Sequence, residues 1–396
     1  MKKFLAVAVV LAFVAGGAFA ISFNGDVMGG AVLMSGSTAD GDDDIMARGF
    51  MHRTRLAMEG STAEGTFGAL ARFQAAGFTG AGASITTHTA IGWWQPAPMF
   101  WLALGIDSDG LFSADGNSQW MFYREHGDIG VVNPGNAWGG LSYVGFGFEN
   151  SFYGGFDALG LSMTIRPMPE LFINIALPIM DSDTAWGEYR PGEGWINWDD
   201  PRLGWDGPRV SATPIEVGDM FASLHFQAVF AQAWGNVALT YVGDHSDASN
   251  GSIFAYLNLR MVDNLDLDFG LGFHLYDDPL IGIGVAAAFD ISADFGLRAR
   301  AQFTLDTMEN APSGILFDVV PFFSITDNIR VFCGLGVAVD LGEDDTAFNF
   351  HVAPHIVVGG DWAPRFFAGF RLESANDFGD DTVMRWSVPL GLVVNF

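Results

Sequence analysis

Lysine is almost missing from this chain of 396 residues: Lys2 and Lys3 are the only two. The sixteen other basic residues are all arginine and face 46 acidic ones, so past the first few residues the balance is close to −30. So acidic a chain repels polyanions, which excludes nucleic acid as a partner. Cysteine occurs once, at Cys333. No internal disulfide can form, and neither a zinc cage nor cysteine-based catalysis has support. Within IRVFCGLGVAVDL, Cys333 alternates in step with Ile329, Val331, Leu335, Val337 and Val339, so it reads as one more apolar side chain. Beyond residue 20 no apolar run approaches the roughly 18 residues that a spanning helix needs. His52, His88, His225, His351 and His355 are scattered, and no Ser-His-Asp grouping has diagnostic spacing; this argues against an enzyme. Neither a cofactor nor a metal is called for. The densest acidic run, residues 40–44, lacks the twelve-residue pattern of a calcium loop.

What is present begins with a leader. Lys2 and Lys3 precede an apolar run from Phe4 to Val14, followed by Gly16, Gly17 and Ala18-Phe19-Ala20. This pattern predicts a secretory signal peptide over residues 1–20, cut before Ile21, and leaves 21–396 as one unit. An exported chain that is 49% hydrophobic yet has no spanning helix fits strands in which each lipid-facing residue is followed by a lumen-facing one.

The stretch Val383 to Phe396 carries that pattern most plainly. Met384, Trp386, Val388, Leu390, Leu392, Val394 and Phe396 form one apolar face, and Arg385, Ser387, Gly391 and Asn395 fall on the other. Period two over this length is a strand with one greasy and one wetter side. Pro389 interrupts the ladder on the inner face. This closing segment resembles the last strand of bacterial outer-membrane β-barrels, which ends in Phe and is read by the barrel-insertion machinery. The resemblance implies an insertion signal at Phe396 and, for the whole chain, an all-β transmembrane antiparallel barrel in the outer-membrane lipid bilayer.

Eighteen alternating segments can be laid out, from 21–36 and 46–58 to 365–374 and 383–396. They are joined in turn by very short polar links and longer acidic ones. Short turns on one side and longer loops on the other are the mark of such barrels, and the spacing suits the 9–11 residues of a tilted spanning strand. About 18 strands are therefore expected, with 16 as the alternative if two N-terminal segments merge or fail to span. An even count puts both termini beside the short turns.

Alternation also assigns the faces. In FGLRARAQFTL the Phe and Leu positions point one way, and Arg298, Arg300, Gln302 and Thr304 the other. Arg53, Arg55 and Arg72 share the inner side of neighbouring strands. A polar interior in a barrel of this size holds water. Residues 108–153 form a long link in third place among the longer loops. In porins, which the barrel resembles, the third loop folds inward and narrows the pore. That resemblance implies a constriction with Glu125 and Asp128 facing the arginine cluster; the residues themselves show only a long loop with apolar patches, and the alternative is a lid lying across the mouth. Residues 180–218 hold Trp186, Trp195, Trp198 and Trp205, suited to sugar or peptide recognition or to stapling a long loop.

The N-terminal third carries a narrower likeness. TFGALARFQAAGF, AIGWWQPAPMFWLALGIDSDGLF and SQWMFY resemble porin-like outer-membrane proteins of spirochaetes, with their Trp-Trp-x-Pro hairpin followed by a Leu-x-x-Gly strand. The expected function is a porin passing small hydrophilic solutes, with a surface adhesin or structural barrel as the alternative. A homo-trimer, common among porins, has no interface legible in the sequence. Deletion of Phe396, or Phe396→Asp, is expected to impair membrane insertion while leaving export intact. Normal outer-membrane levels of either variant, measured by fractionation, would count against the insertion signal.

Overall fold

A computed structural model describes residues 19–37, 46–78, 84–107, 158–181, 187–190, 194–197, 213–214, 221, 224–243, 251–275, 280–306, 314–341, 346–359, 365–375 and 383–395. The strands are β1 (Phe19–Ser37), β2 (Met46–Thr62), β3 (Phe67–Phe78), β4 (Ser84–Ala97), β5 (Phe100–Asp107), β6 (Ala158–Met168), β7 (Leu171–Asp181), β8 (Gly187–Arg190), β9 (Gly194–Asn197), β10 (Thr213–Pro214) and β11 (His225–Gln232). They continue with β12 (Gly235–Gly243), β13 (Gly251–Val262), β14 (Leu265–His274), β15 (Leu280–Asp290), β16 (Phe295–Asp306), β17 (Gly314–Thr326), β18 (Ile329–Leu341), β19 (Thr346–Gly359), β20 (Arg365–Gly369), β21 (Arg371–Ala375) and β22 (Val383–Asn395).

All but β8 and β9 belong to one antiparallel sheet, and that sheet closes: β22 pairs with β1 from Asp26↔Asn395 to Ser37↔Arg385. The two-residue β10 only extends the edge contact of β7. β20 and β21 are two halves of one strand, interrupted at Phe370 and both paired with β19 and β22. Among the described residues, eighteen strands therefore stand around the ring, as the alternation predicts, and the sixteen-strand alternative falls. The register of β1 starts two residues before the expected Ile21, with Phe19 opposite Thr62 and Ala20 opposite Ser61.

The closing pair also places the ends. The last residues of β22 lie against Asp26 and Val27 in the first half of β1, and the first residue of β1, Phe19, lies opposite Thr62 at the β2–β3 turn. Every described two-to-four-residue turn sits at this same end, by the antiparallel order of the strands. These turns use local chemistry suited to tight reversal. Asn264 adopts φ 64° in the two-residue turn between β13 and β14, a left-handed conformation that Asn tolerates. In the β2–β3 turn the Thr62 hydroxyl accepts from the amides of Thr66 and Phe67.

The two faces are reversed relative to a protein that folds in water. Phe23, Leu56, Trp94, Leu104, Leu239, Phe273, Ile283, Phe303, Phe317, Leu335 and Leu392 are all exposed and all on the outer face. The buried set is instead rich in amides and hydroxyls, including Gln74, Thr164, Asn174, Gln227, Thr240 and Asn258. An exposed apolar belt running around a whole barrel is stable only against hydrocarbon. Near the turn end Phe67 stacks on Trp94 at 6.2 Å, and Phe100 meets Trp94 edge-on at 6.4 Å, an aromatic grouping suited to a membrane interface. Cys333 lies on this outer face opposite Pro354, as its alternation predicts. No helix among the described residues is long and apolar enough to cross a membrane.

A charge on the belt should therefore cost stability according to depth. Leu239→Arg, in the middle of β12, is expected to destabilise the barrel by about 2–4 kcal/mol, and Met261→Arg, beside the β13–β14 turn, by about 0–1 kcal/mol. Urea unfolding from lipid vesicles compares the two, and equal costs would mean that the outer face does not meet hydrocarbon.

Candidate functional site

The inner face is built from alternate residues of all eighteen strands, and it divides into sectors. From β6 to β12 runs a rung of uncharged polar groups. The Thr164 hydroxyl donates to Asn174 Oδ1 at 2.8 Å, Asn174 Nδ2 to Gln227 Oε1 at 3.0 Å, and Gln227 Nε2 to Thr240 Oγ1 at 3.1 Å. All four residues are buried. The rung exists because the register sets Thr164 opposite Asn174, Asn174 opposite Gln227 and Gln227 opposite Thr240. Each side chain thus finds a partner one strand away, which buried amides require.

Beside this rung the wall is apolar. Trp101, Ala103 and Ala176 pack together with Ile91 and Trp93. Val229, Ala238 and Tyr256 pack with Phe172 and Phe254. Trp93 lies across Gly68, where any side chain would collide with the indole; the glycine lets the ring lie flat on the wall. The rule that polar positions point in and apolar positions point out therefore misassigns these aromatic rows.

On β13 and β14 the wall becomes charged. Tyr256 donates its hydroxyl to Asp268, which is fully buried, and Asn258 Nδ2 donates to both Asp266 and Asp268. Arg260 pairs with Asp266 at 3.1 Å, their side chains 54% and 32% exposed, a pair close enough to water to contribute little stability. On β16–β19 a second cluster forms. Arg298 donates to Asp290 at 2.9 Å and lies 4.9 Å over the Phe322 ring, and Arg330 lies 5.8 Å from the same ring. Phe322 packs on Phe332 at 5.6 Å, and Phe332 stacks on His355 at 4.8 Å. Gly296 leaves room for Phe322 as Gly68 does for Trp93. Guanidinium over a ring face is a favourable contact that holds the charge flat on the wall.

The third charged sector contains the expected arginines. The register aligns Arg55 with Gln74 and Asp26, Arg72 with Ala57 and Thr89, and position 53 with Met28 and Ala76. Arg55 and Arg72 fall on the inner face of β2 and β3, and position 53 has the same parity as Arg55. Arg55 Nε donates to Gln74 Oε1 at 2.6 Å, an amide partner that alternation alone does not reveal. Arg298 and Arg300 do not join them. They sit on β16, seven positions round the ring from β2, where Arg300 faces Ala286 and Asp318 in register. Glu125, Asp128 and Phe396 lie outside the described residues. Among the described residues no group of three His, Cys, Asp or Glu side chains is placed to hold a metal ion.

The amide rung is not legible in the sequence. Its members break apolar runs in LGLSMTIR, LFINIAL and HFQAVF at inner positions, but only the cross-strand register says which of them meet. If the rung acts as a unit, Asn174→Ala should lower the unfolding free energy by about 1–3 kcal/mol. The same substitution made in a Gln227→Ala background should cost clearly less; additive losses in urea unfolding would show that the two amides do not interact.

No protein-family model matches the chain, and no curated protein matches it in sequence. Among solved structures, OccK5 (OpdH) of Pseudomonas aeruginosa is similar over 95% of this chain and 98% of its own, with a TM-score of 0.51 at 7% identity. That is a shared fold and nothing narrower. The outer-membrane channel DcaP of Acinetobacter baumannii aligns over 96% of this chain and 98% of its own, with a TM-score of 0.44 and 11% identity. A mutant porin of Rh. blastica covers 95% and 100%, with a TM-score of 0.43 and 12% identity.

Proposed function

We propose that this protein is a bacterial outer-membrane porin, a water-filled channel for passive diffusion of small hydrophilic solutes. One observation carries the reading: a closed ring of eighteen strands is apolar outside and lined with half-exposed charges inside. An apolar belt needs hydrocarbon around it, and exposed ion pairs such as Arg260–Asp266 and Arg298–Asp290 need water beside them. Both conditions hold together only if the barrel spans a bilayer and encloses water. The charged sectors β1–β3 and β13–β19 are where that water would run, since the wall from β4 to β12 is packed with buried amides and aromatic rings.

The narrower parts of the reading rest on sequence. The leader over residues 1–20 suits export, and the alternation ending at Phe396 suits recognition by the insertion machinery. The Trp93-Trp94-Gln95-Pro96 run, at the turn between β4 and β5, is the feature that points toward spirochaete porin-like proteins. The constriction is placed where the link 108–153, carrying Glu125 and Asp128, would meet Arg53, Arg55 and Arg72. Charge at a narrowing acts over a short, weakly screened distance, so it outweighs a distant rim at a Debye length of about 8 Å.

Planar-bilayer recording of the refolded protein tests this. Stepwise, stable conductance is expected. Neutralising Arg53, Arg55 and Arg72 to Gln should shift the reversal potential in a salt gradient toward cations, and Glu125→Gln with Asp128→Asn toward anions. Conductance with neither shift would move the constriction elsewhere; inserted protein that never conducts would sink the porin reading.

A further inference from the structure

The break between β20 and β21 has a cause in two prolines on the neighbouring strands. Phe370 donates its amide to the Pro354 carbonyl of β19 at 2.9 Å. In a regular antiparallel pair the opposite residue returns a second bond, but Pro354 has no N–H to give. The ladder therefore offers the Phe370 carbonyl no donor on β19. Successive residues of a strand turn their amide groups to opposite sides, so Gly369 looks toward β22. The register there runs from Ala368↔Leu390 to Arg371↔Ser387, which sets Gly369 against Pro389, a second nitrogen without a hydrogen. Two successive carbonyls thus lose their ladder donors, one on each side of the same strand. Phe370 lies five residues beyond Arg365, where β20 begins. A tilted crossing takes about 9–11 residues, so the interruption is near mid-membrane.

The two halves of the strand are held differently. On the turn side, β19 and β20 pair without a shift from His355↔Gly369 to Gly359↔Arg365. They approach so closely that a Cβ on Gly369 would collide with Cβ of His355 and crowd the Pro354 carbonyl. On the side of the long links, β19 and β21 keep two register pairs, His351↔Glu373 and Val352↔Leu372. Beyond them the Phe350 amide donates to the Ser374 hydroxyl oxygen at 2.8 Å, where a regular ladder uses a backbone carbonyl. The ladders on either side are continuous. β18 and β19 pair from Ile329↔Val358 to Leu341↔Thr346, and β21 and β22 from Arg371↔Ser387 to Ala375↔Val383. The weak line therefore runs between β19 and β21.

We propose that the wall parts laterally between β19 and β21, hinged at Gly369 and Phe370, and opens the barrel interior sideways to the leaflet on the link side. Opening a ladder in hydrocarbon is costly because each freed backbone group needs a partner. The cost is least where bonds are already missing and where a polar interior can bring water to those that break. Pro354 frees the edge, and Pro389 lets the strand bend one residue away. The sound β21–β22 ladder keeps β21 attached to the closing strand, so the wall splits along one line and does not fray. The opening requires a membrane-spanning barrel and not a conducting one.

Residue-resolved hydrogen exchange of the full-length protein in lipid vesicles tests this. Because the Phe370 amide points to β19, those of Leu372 and Ser374 point the same way, and those of Arg371 and Glu373 point to β22. Exchange at Leu372 and Ser374 should be faster than at Arg371 and Glu373 by about tenfold or more, although all four lie in one strand at one depth. In Pro354→Ala, which returns a donor to the Phe370 carbonyl, the ratio should fall. Val352→Cys/Leu372→Cys in a Cys333→Ser background, once oxidised, ties the two strands and should bring the ratio close to one, and reduction should restore it. Equal rates at the four amides of the unsubstituted protein, slow or fast, overturn the inference, since fraying of the link end would expose all of them alike. A ratio that survives oxidation also overturns it, and one that is unchanged in Pro354→Ala removes the missing donor as its cause. None of these readings involves conduction, so their failure leaves the porin reading as it stands.

Discussion

Closure of the hydrogen-bond ladder is the constraint on which the rest of this barrel depends. In hydrocarbon no water can satisfy a free backbone amide or carbonyl, and each one left open costs several kcal/mol. Pairing β22 with β1 removes the two edges that eighteen strands would otherwise expose. Once the ring is closed, strand alternation has only one consistent solution, with one set of side chains outward into lipid and the other inward. An even number of strands then brings the chain ends and all the short turns to one side. The acidic links are left to the other.

Closure also sets what the inner wall can hold. Every polar side chain there is taken from bulk water unless the lumen is wet at that point, so it must be hydrated or paired. Both solutions appear. From β6 to β12 the polar groups are buried, and amides and hydroxyls hand hydrogen bonds from strand to strand beside rows of aromatic rings. On β13–β19 the groups are charged and, Asp268 apart, partly exposed, with Arg260 and Arg298 in ion pairs and Arg298 and Arg330 laid over a ring. The wall is thus asymmetric around the ring.

Much of this architecture is legible in the amino-acid order. Alternation from Val383 onward, and through FGLRARAQFTL, locates strands to within a few residues, because period two is a local property of a half-buried strand. The eighteen-strand count and the inward side of Arg55 and Arg72 follow from the same signal. Less legible are the inward turn of Trp93 and Trp101 and the pairing of Arg55 with Gln74. Hydropathy reads a tryptophan as an outward residue, yet a glycine on the neighbouring strand gives Trp93 room to lie on the inner wall. The break at Phe370, which splits one strand into β20 and β21, also leaves no mark in the alternation.

By itself the sequence determined the eighteen ring strands, their order, the alternation of their faces outside the aromatic rows and the acidity of the links, because each depends on neighbouring residues or on parity along the chain. Only the tertiary structure decided which inner residues meet. The amide rung, the Tyr256–Asp268 and Arg298–Phe322–Arg330 contacts, and the separation of Arg298 and Arg300 from the β2–β3 arginines all depend on register. Register is set by how far each strand slides against the next until turns, bulges and the closing β22–β1 pair agree around the whole ring, and no single segment carries that information.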